Sequence, residues 1–183
     1  MIYYLQCKYG KDWIKDNQLQ YTKEEIAEGL AFIKDLEDKH VIPNSEKLAG
    51  EGTSELLETS ESWINGHYGG AMCWDTNIQK YVDAVTEGEI VVGDMIEMGE
   101  YHGGPIKASQ VIAIAATSEH PAEAAALIQF LFGDEEGATI LGDSRGIPCN
   151  KNAVQYVNTE GSLVADMNEK LMAWSTFKLD TIT

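Results

Sequence analysis

Trp74 and Asp75 stand side by side in this sequence, a flat aromatic followed by a carboxylate. An indole can cover the apolar C–H face of a pyranose-like ring while its N–H finds an acceptor. An ionised carboxylate can accept from two hydroxyl donors, and hydrogen bonds to a charged acceptor are the stronger kind. The same two residues also read as a core aromatic and a turn former, and residue type alone leaves both readings open. Arg145 precedes Gly146-Ile147-Pro148. Its guanidinium can fork onto vicinal hydroxyls or a carboxylate, or pair with one of the chain's 30 acids at the surface. Tyr101 and His102 flank Gly103-Gly104, where glycine permits either close backbone approach to a ligand or a tight turn. A lone histidine on such a loop also reads as a solvated side chain.

Other chemistries find little support. The cysteines Cys7, Cys73 and Cys149 are far apart, and His40, His67, His102 and His120 form no pair at metal-ligand spacing. No metal, no cofactor and no catalytic residue set is therefore expected. A glycosidase needs two carboxylates at about 5 to 9 Å, which acids this plentiful can neither establish nor refute from sequence. No Ser/His/Asp set is suggested by spacing. With 13 Lys+Arg against 30 Asp+Glu the formal charge is −17, and no basic run interrupts it. Nucleic acid and anionic membrane surfaces are thereby disfavoured as partners. No segment approaches the roughly 18 to 20 apolar residues of a membrane span, so no direct insertion is expected. Residues 1–8 lack a basic region followed by an apolar run, so no export signal is read in this chain.

The elements that must position these residues follow from local patterns. Thr22-Lys-Glu-Glu25 is a capping box that opens a helix with Ile26, Leu30, Ile33 and Leu36 on one face, ending near Lys39-His40. Residues 44–53 read as a polar loop. A second helix is expected over 54–65, burying Leu57, Trp63 and Ile64, with Gly66 leaving it in a left-handed conformation. Residues 69–74, 89–96 and 110–116 are strand-like. His120-Pro121 opens a helix with Ala124, Leu127, Ile128 and Leu131 on its apolar face. Asp134 caps another through Leu141, closed by Gly142, and Asn150 caps a turn after Pro148. Leu163, Met167, Leu171 and Trp174 mark a last helix within 161–177. Trp13, Trp63, Trp174 and the methionines read as core. This order predicts an α/β fold, a small mixed sheet flanked by helices, in one domain over 1–183.

Three stretches carry a resemblance. They are 63–74 (Trp-Ile-Asn-Gly-His-Tyr-Gly-Gly-Ala-Met-Cys-Trp), 112–132 (from Ile-Ala-Ile-Ala-Ala through Glu119-His-Pro-Ala to Phe132), and Gly133-Asp-Glu-Glu-Gly137 with Gly142-Asp-Ser-Arg-Gly-Ile-Pro148. In this order, over 22–154, they resemble the C-terminal lobe of the extracellular solute-binding proteins of carbohydrate ABC transporters, of the family 1 type. The resemblance implies one lobe of a two-lobed periplasmic-binding-protein-like fold, with the N-terminal lobe absent and the chain a fragment. It implies a receptor that binds a sugar or oligosaccharide and breaks no bond, contributes one wall of the ligand cleft, and meets ABC permease subunits through the full-length protein. That protein would be extracellular or periplasmic and membrane-anchored. The cleft residues implied are Trp74, Asp75, Arg145 and Tyr101, together with Ser109 and Gln110, which align with a glycine-rich ligand-facing position. The alternatives are a protein-interaction domain without a small-molecule ligand, in which an uncovered lobe face binds protein, and a carbohydrate-active hydrolase.

Overall fold

Local capping sets the first long helix. Thr22 Oγ1 accepts from the Glu25 amide at 3.2 Å, while the Glu25 carboxylate accepts from the Thr22 amide at 2.8 Å, so the expected capping box is made in full. The computed structural model describes residues 1–50, 57–107 and 111–178. Along the chain run α1 (Ile2–Tyr9), β1 (Ile14–Lys15), β2 (Gln18–Leu19), α2 (Lys23–Asp38), α3 (Ser45–Gly50), α4 (Glu61–Ile64), α5 (Ile78–Ala84) and β3 (Pro105–Ile106). Then follow α6 (Pro121–Gly133), α7 (Glu135–Leu141), α8 (Lys151–Val154), α9 (Leu163–Trp174) and β4 (Phe177–Lys178), with short 3-10 turns at Leu57–Thr59 and Asp75–Asn77. The protein is mixed α/β, as its sequence predicts, and about half helical. Its described strands are two pairs of two residues each: β1 antiparallel to β2, and β3 parallel to β4.

Two compact units make up the chain, one of Met1–Ala71, Tyr81–Lys107 and Lys170–Thr183, the other of Met72–Lys80 and Ala108–Glu169. In the first, α1 docks on α2, with Leu5, Gln6 and Cys7 fully buried. Gly29 permits the contact, because a Cβ there would lie 2.8 Å from Met1 Cγ and 3.1 Å from Leu5 Cδ1. Around it, Tyr4 stacks on Phe32 at 4.0 Å, and the Glu28 carboxylate accepts from Tyr4 (2.8 Å), Tyr9 (2.6 Å) and Lys8. Those donors, Lys8 foremost, hold the Glu28 carboxyl down at about 2. Glu28, Gly29 and Phe32 thus line the docking face of α2, and of the expected aliphatic stripe Ile26, Ile33 and Leu36 are half-buried while Leu30 is 58% exposed.

Residues 99–104 also pack on α1. The Tyr101 amide donates to the Cys7 carbonyl (2.9 Å), the Gly104 amide to Gln6 Oε1 (3.1 Å), and a Cβ at Gly103 would meet Cys7 Sγ at 2.7 Å. The close backbone approach that these glycines allow is made to α1. Trp174 Nε1 donates to the Gly103 carbonyl at 2.8 Å, and the indole stacks on His102 at 4.0 Å. Trp63 is buried, edge-on to Tyr81 with its N–H on the Tyr81 carbonyl (3.0 Å), which agrees with its reading as core.

In the second unit α6 packs on α7 through Gly137. Asn150 accepts from the Asn152 amide (3.0 Å), capping α8 as expected, and its own amide donates to the Phe132 carbonyl at the end of α6 (2.9 Å). His120 and Pro121 open α6, and Gly142 closes α7 with φ of 56°.

Several expectations need correction. Residues 69–74, 89–96 and 111–116 lie in no strand, since alternation favours an extended chain but a strand also needs a ladder partner. Within 89–96, side chains meet the carbonyls instead: Lys170 reaches Val92 (3.1 Å) and Gly93 (3.3 Å), and Tyr3 reaches Ile96 (2.6 Å). Part of the expected 44–53 loop is helical, because the Asn44 side chain accepts from the Lys47 amide at 2.7 Å and starts α3. The helix expected over 54–65 is in its described part a 3-10 turn and the separate α4, which Ser60 caps. Met72 and Met172, expected in the core, are 63% and 59% exposed.

Candidate functional site

Within the second unit, Trp74 and Asp75 stand where an extended segment turns into helix. Trp74 is the N-cap of the Asp75–Asn77 turn, with extended backbone (φ −69°, ψ 143°), and its carbonyl accepts from the Asn77 amide at 2.9 Å. Its side chain is 41% exposed, so the indole is not the buried core aromatic that residue type also allowed. Buried Ile78 follows the turn and anchors it at the start of α5.

Asp75 is half-buried and held at both oxygens. Oδ1 accepts from the Thr76 amide (2.9 Å) and Oδ2 from Asn168 Nδ2 on α9 (2.9 Å). A carboxylate has about four acceptor directions, so roughly one on each oxygen stays available to a hydroxyl donor. The loop 143–146 reaches the same turn. Its Gly146 amide donates to the Asp143 carbonyl (2.8 Å) at φ +86°, and a Cβ at Gly146 would sit 2.9 Å from the Thr76 methyl. Arg145 is carried on this loop with an exposed side chain. Its guanidinium makes no ion pair or hydrogen bond to a described residue, so the surface salt bridge is not formed among them.

Trp74, Asp75 and the Arg145 loop are therefore brought into one neighbourhood, 70 residues apart in sequence (145 minus 75). Tyr101 belongs to the first unit, where its ring lies over Gly10 at 2.8 Å from the position of a Cβ, and it stays 44% exposed. Ser109 and Gln110 lie outside the described residues. Three contributors escaped the sequence reading: Thr76, Gly146 and Asn168. The signal for Asn168 was a polar residue one turn after buried Val164 on a helix otherwise read by its apolar positions. Among the described residues no group of three or more His, Cys, Asp or Glu side chains could hold a metal ion, and no helix is long and apolar enough to cross a membrane.

No protein-family model matches the chain, and neither does a curated protein. Solved structures do. A periplasmic solute-binding protein from Pectobacterium atrosepticum superposes with a TM-score of 0.82 at 26% identity, over 98% of this chain and 46% of that one. A de novo designed esterase improved by directed evolution and rational design superposes with a TM-score of 0.66 at 25% identity, over 93% of this chain and 44% of its own. The chain thus spans less than half the length of either.

Proposed function

We propose that this chain is the ligand-binding part of a periplasmic solute-binding receptor, contributing one wall of a cleft that takes a sugar or oligosaccharide. The observation that carries the reading is the likeness of nearly the whole chain to a periplasmic solute-binding protein. The chemistry of residues 74–76 and 145–146 supports the ligand class. An exposed indole beside a restrained carboxylate offers an apolar ring face and two acceptor directions, which is what a pyranose with neighbouring hydroxyls requires. Arg145 adds a planar cationic donor.

Such a protein works by binding and release. Affinity comes from the cleft contacts, and release from their separation, with no bond broken. In this reading the chain is a single lobe of a longer, two-lobed protein, located outside the cytoplasmic membrane and handing its ligand to ABC permease subunits. Ser109 and Gln110 are proposed as further ligand contacts.

The test is a thermal-shift and calorimetric screen of the protein expressed from its full reading frame. The probes are glucose, galactose, maltotriose, cellobiose and xylobiose, with p-nitrophenyl acetate and p-nitrophenyl glycosides as hydrolysis substrates. The reading expects saturable stabilisation by at least one saccharide and no turnover of either chromogenic class. Turnover abolished by substitution of one side chain, or no response to any saccharide, would overturn it.

A further inference from the structure

Asp75 is held by a residue that lies 93 positions later in the chain. Resting on the ligand reading above, we infer that Asn168 is a positioning residue for the site: its amide fixes the Asp75 carboxylate so that the remaining acceptor directions meet two neighbouring hydroxyls of the ligand. Three observations converge on this role. Asn168 Nδ2 donates to Asp75 Oδ2 at 2.9 Å. The Thr76 amide takes the other oxygen at 2.9 Å, so the carboxylate plane is pinned from two sides. Buried Val164 lies one turn before Asn168 on α9, anchoring the face from which the amide projects.

The restraint matters because an exposed aspartate samples several rotamers, and a ligand that binds one of them loses affinity in proportion to the others. Two donors that hold the group before the ligand arrives remove that loss. They also set spacing. Vicinal hydroxyls can each take one oxygen only when the carboxylate plane faces them, so the arrangement selects ligands with adjacent hydroxyls over those with isolated ones.

The experiment has two arms. In the first, without ligand, NMR three-bond couplings about χ1 of Asp75 are measured in the full chain and in Asn168→Ala. A single staggered rotamer in the parent and an average in the variant are expected; unchanged couplings would overturn the proposal. In the second, the saccharide that binds best in the screen above is titrated into the parent, Asn168→Ala, Asn168→Asp, Asp75→Asn and the double variant Asp75→Asn/Asn168→Ala. Asn168→Ala should weaken binding about fivefold, and Asn168→Asp, which replaces the donor by a second carboxylate, at least as much. In the Asp75→Asn background Asn168→Ala should add less than about twofold, because it acts through Asp75. A purely structural asparagine would lower the melting temperature and leave this coupling absent. If Asp75→Asn weakens binding while Asn168→Ala does not, the positioning role fails and the ligand site stands. If neither matters and the parent still binds, the placement of the site itself is wrong.

Discussion

Gly137 sits where α7 crosses the end of α6, and nothing larger than hydrogen fits there. A Cβ on Gly137 would lie 2.6 Å from the carbonyl carbon of Phe130 and 3.0 Å from Leu131 Cα. Both are backbone atoms, so no rotamer change relieves the clash, and α7 must shift bodily away from α6. Alanine is the better helix former by about 1 kcal/mol, which acts in the opposite direction. Overpacking a close contact costs about 1 to 3 kcal/mol, and more when the obstacle is backbone, so Gly137→Ala should lose about 2 kcal/mol net. For a chain of this size that is roughly 4 to 8 °C in melting temperature. The assay is thermal unfolding followed by circular dichroism at 222 nm, with Gly70→Ala as control, since a Cβ at Gly70 meets nothing within 4 Å. A Gly137→Ala midpoint within 1 °C of the control would refute the account of the α6–α7 contact.

Acid should loosen the α1–α2 contact through Glu28. Its carboxyl is depressed from 4.5 to about 2, chiefly by Lys8 and then by Tyr9 and Tyr4, so its contribution is complete above the unfolded value of 4.5 and is lost as pH falls through that range towards 2. In thermal unfolding scans, Glu28→Gln should be less stable than the parent at pH 6 and converge on it near pH 2; a pH-independent gap would count against the linkage. Thr22→Ala removes one half of the capping box and should cost about 1 kcal/mol, read as a lower denaturant midpoint with an unchanged slope. An unaltered midpoint would mean that α2 is held by its packing on α1 alone.

How much of this was legible beforehand depends on whether the signal was local. Caps were: Thr22, Pro121, Asn150 and Gly142 each bound or close a helix where their chemistry predicts. So was the left-handed exit at Gly66, φ +67°. On α2 the aliphatic stripe held at Ile26, Ile33 and Leu36 but not at Leu30, and the contacts with α1 also run through Glu28, Gly29 and Phe32, a carboxylate, a glycine and an aromatic that the aliphatic pattern leaves out. Helix α1 and the β1–β2 hairpin went unread, although Asp16-Asn17, both at positive φ, is a turn that could have marked the hairpin. Strand-like runs were legible as extended chain, but the ladders depend on distant partners. The same holds at the candidate site. Trp74 and Asp75 could be chosen by residue type, whereas Asn168 and the Gly146–Thr76 contact exist only through tertiary packing.

The ligand-binding account stands most directly on Trp74. The measurement is calorimetric titration of the screened saccharide into the full-reading-frame protein and into its Trp74→Ala variant, with thermal unfolding as the check on folding. Loss of a stacked ring face should weaken binding about tenfold or more in a variant that still unfolds cooperatively. An unchanged dissociation constant in a folded Trp74→Ala variant would contradict the account and remove residues 74–76 from the ligand site.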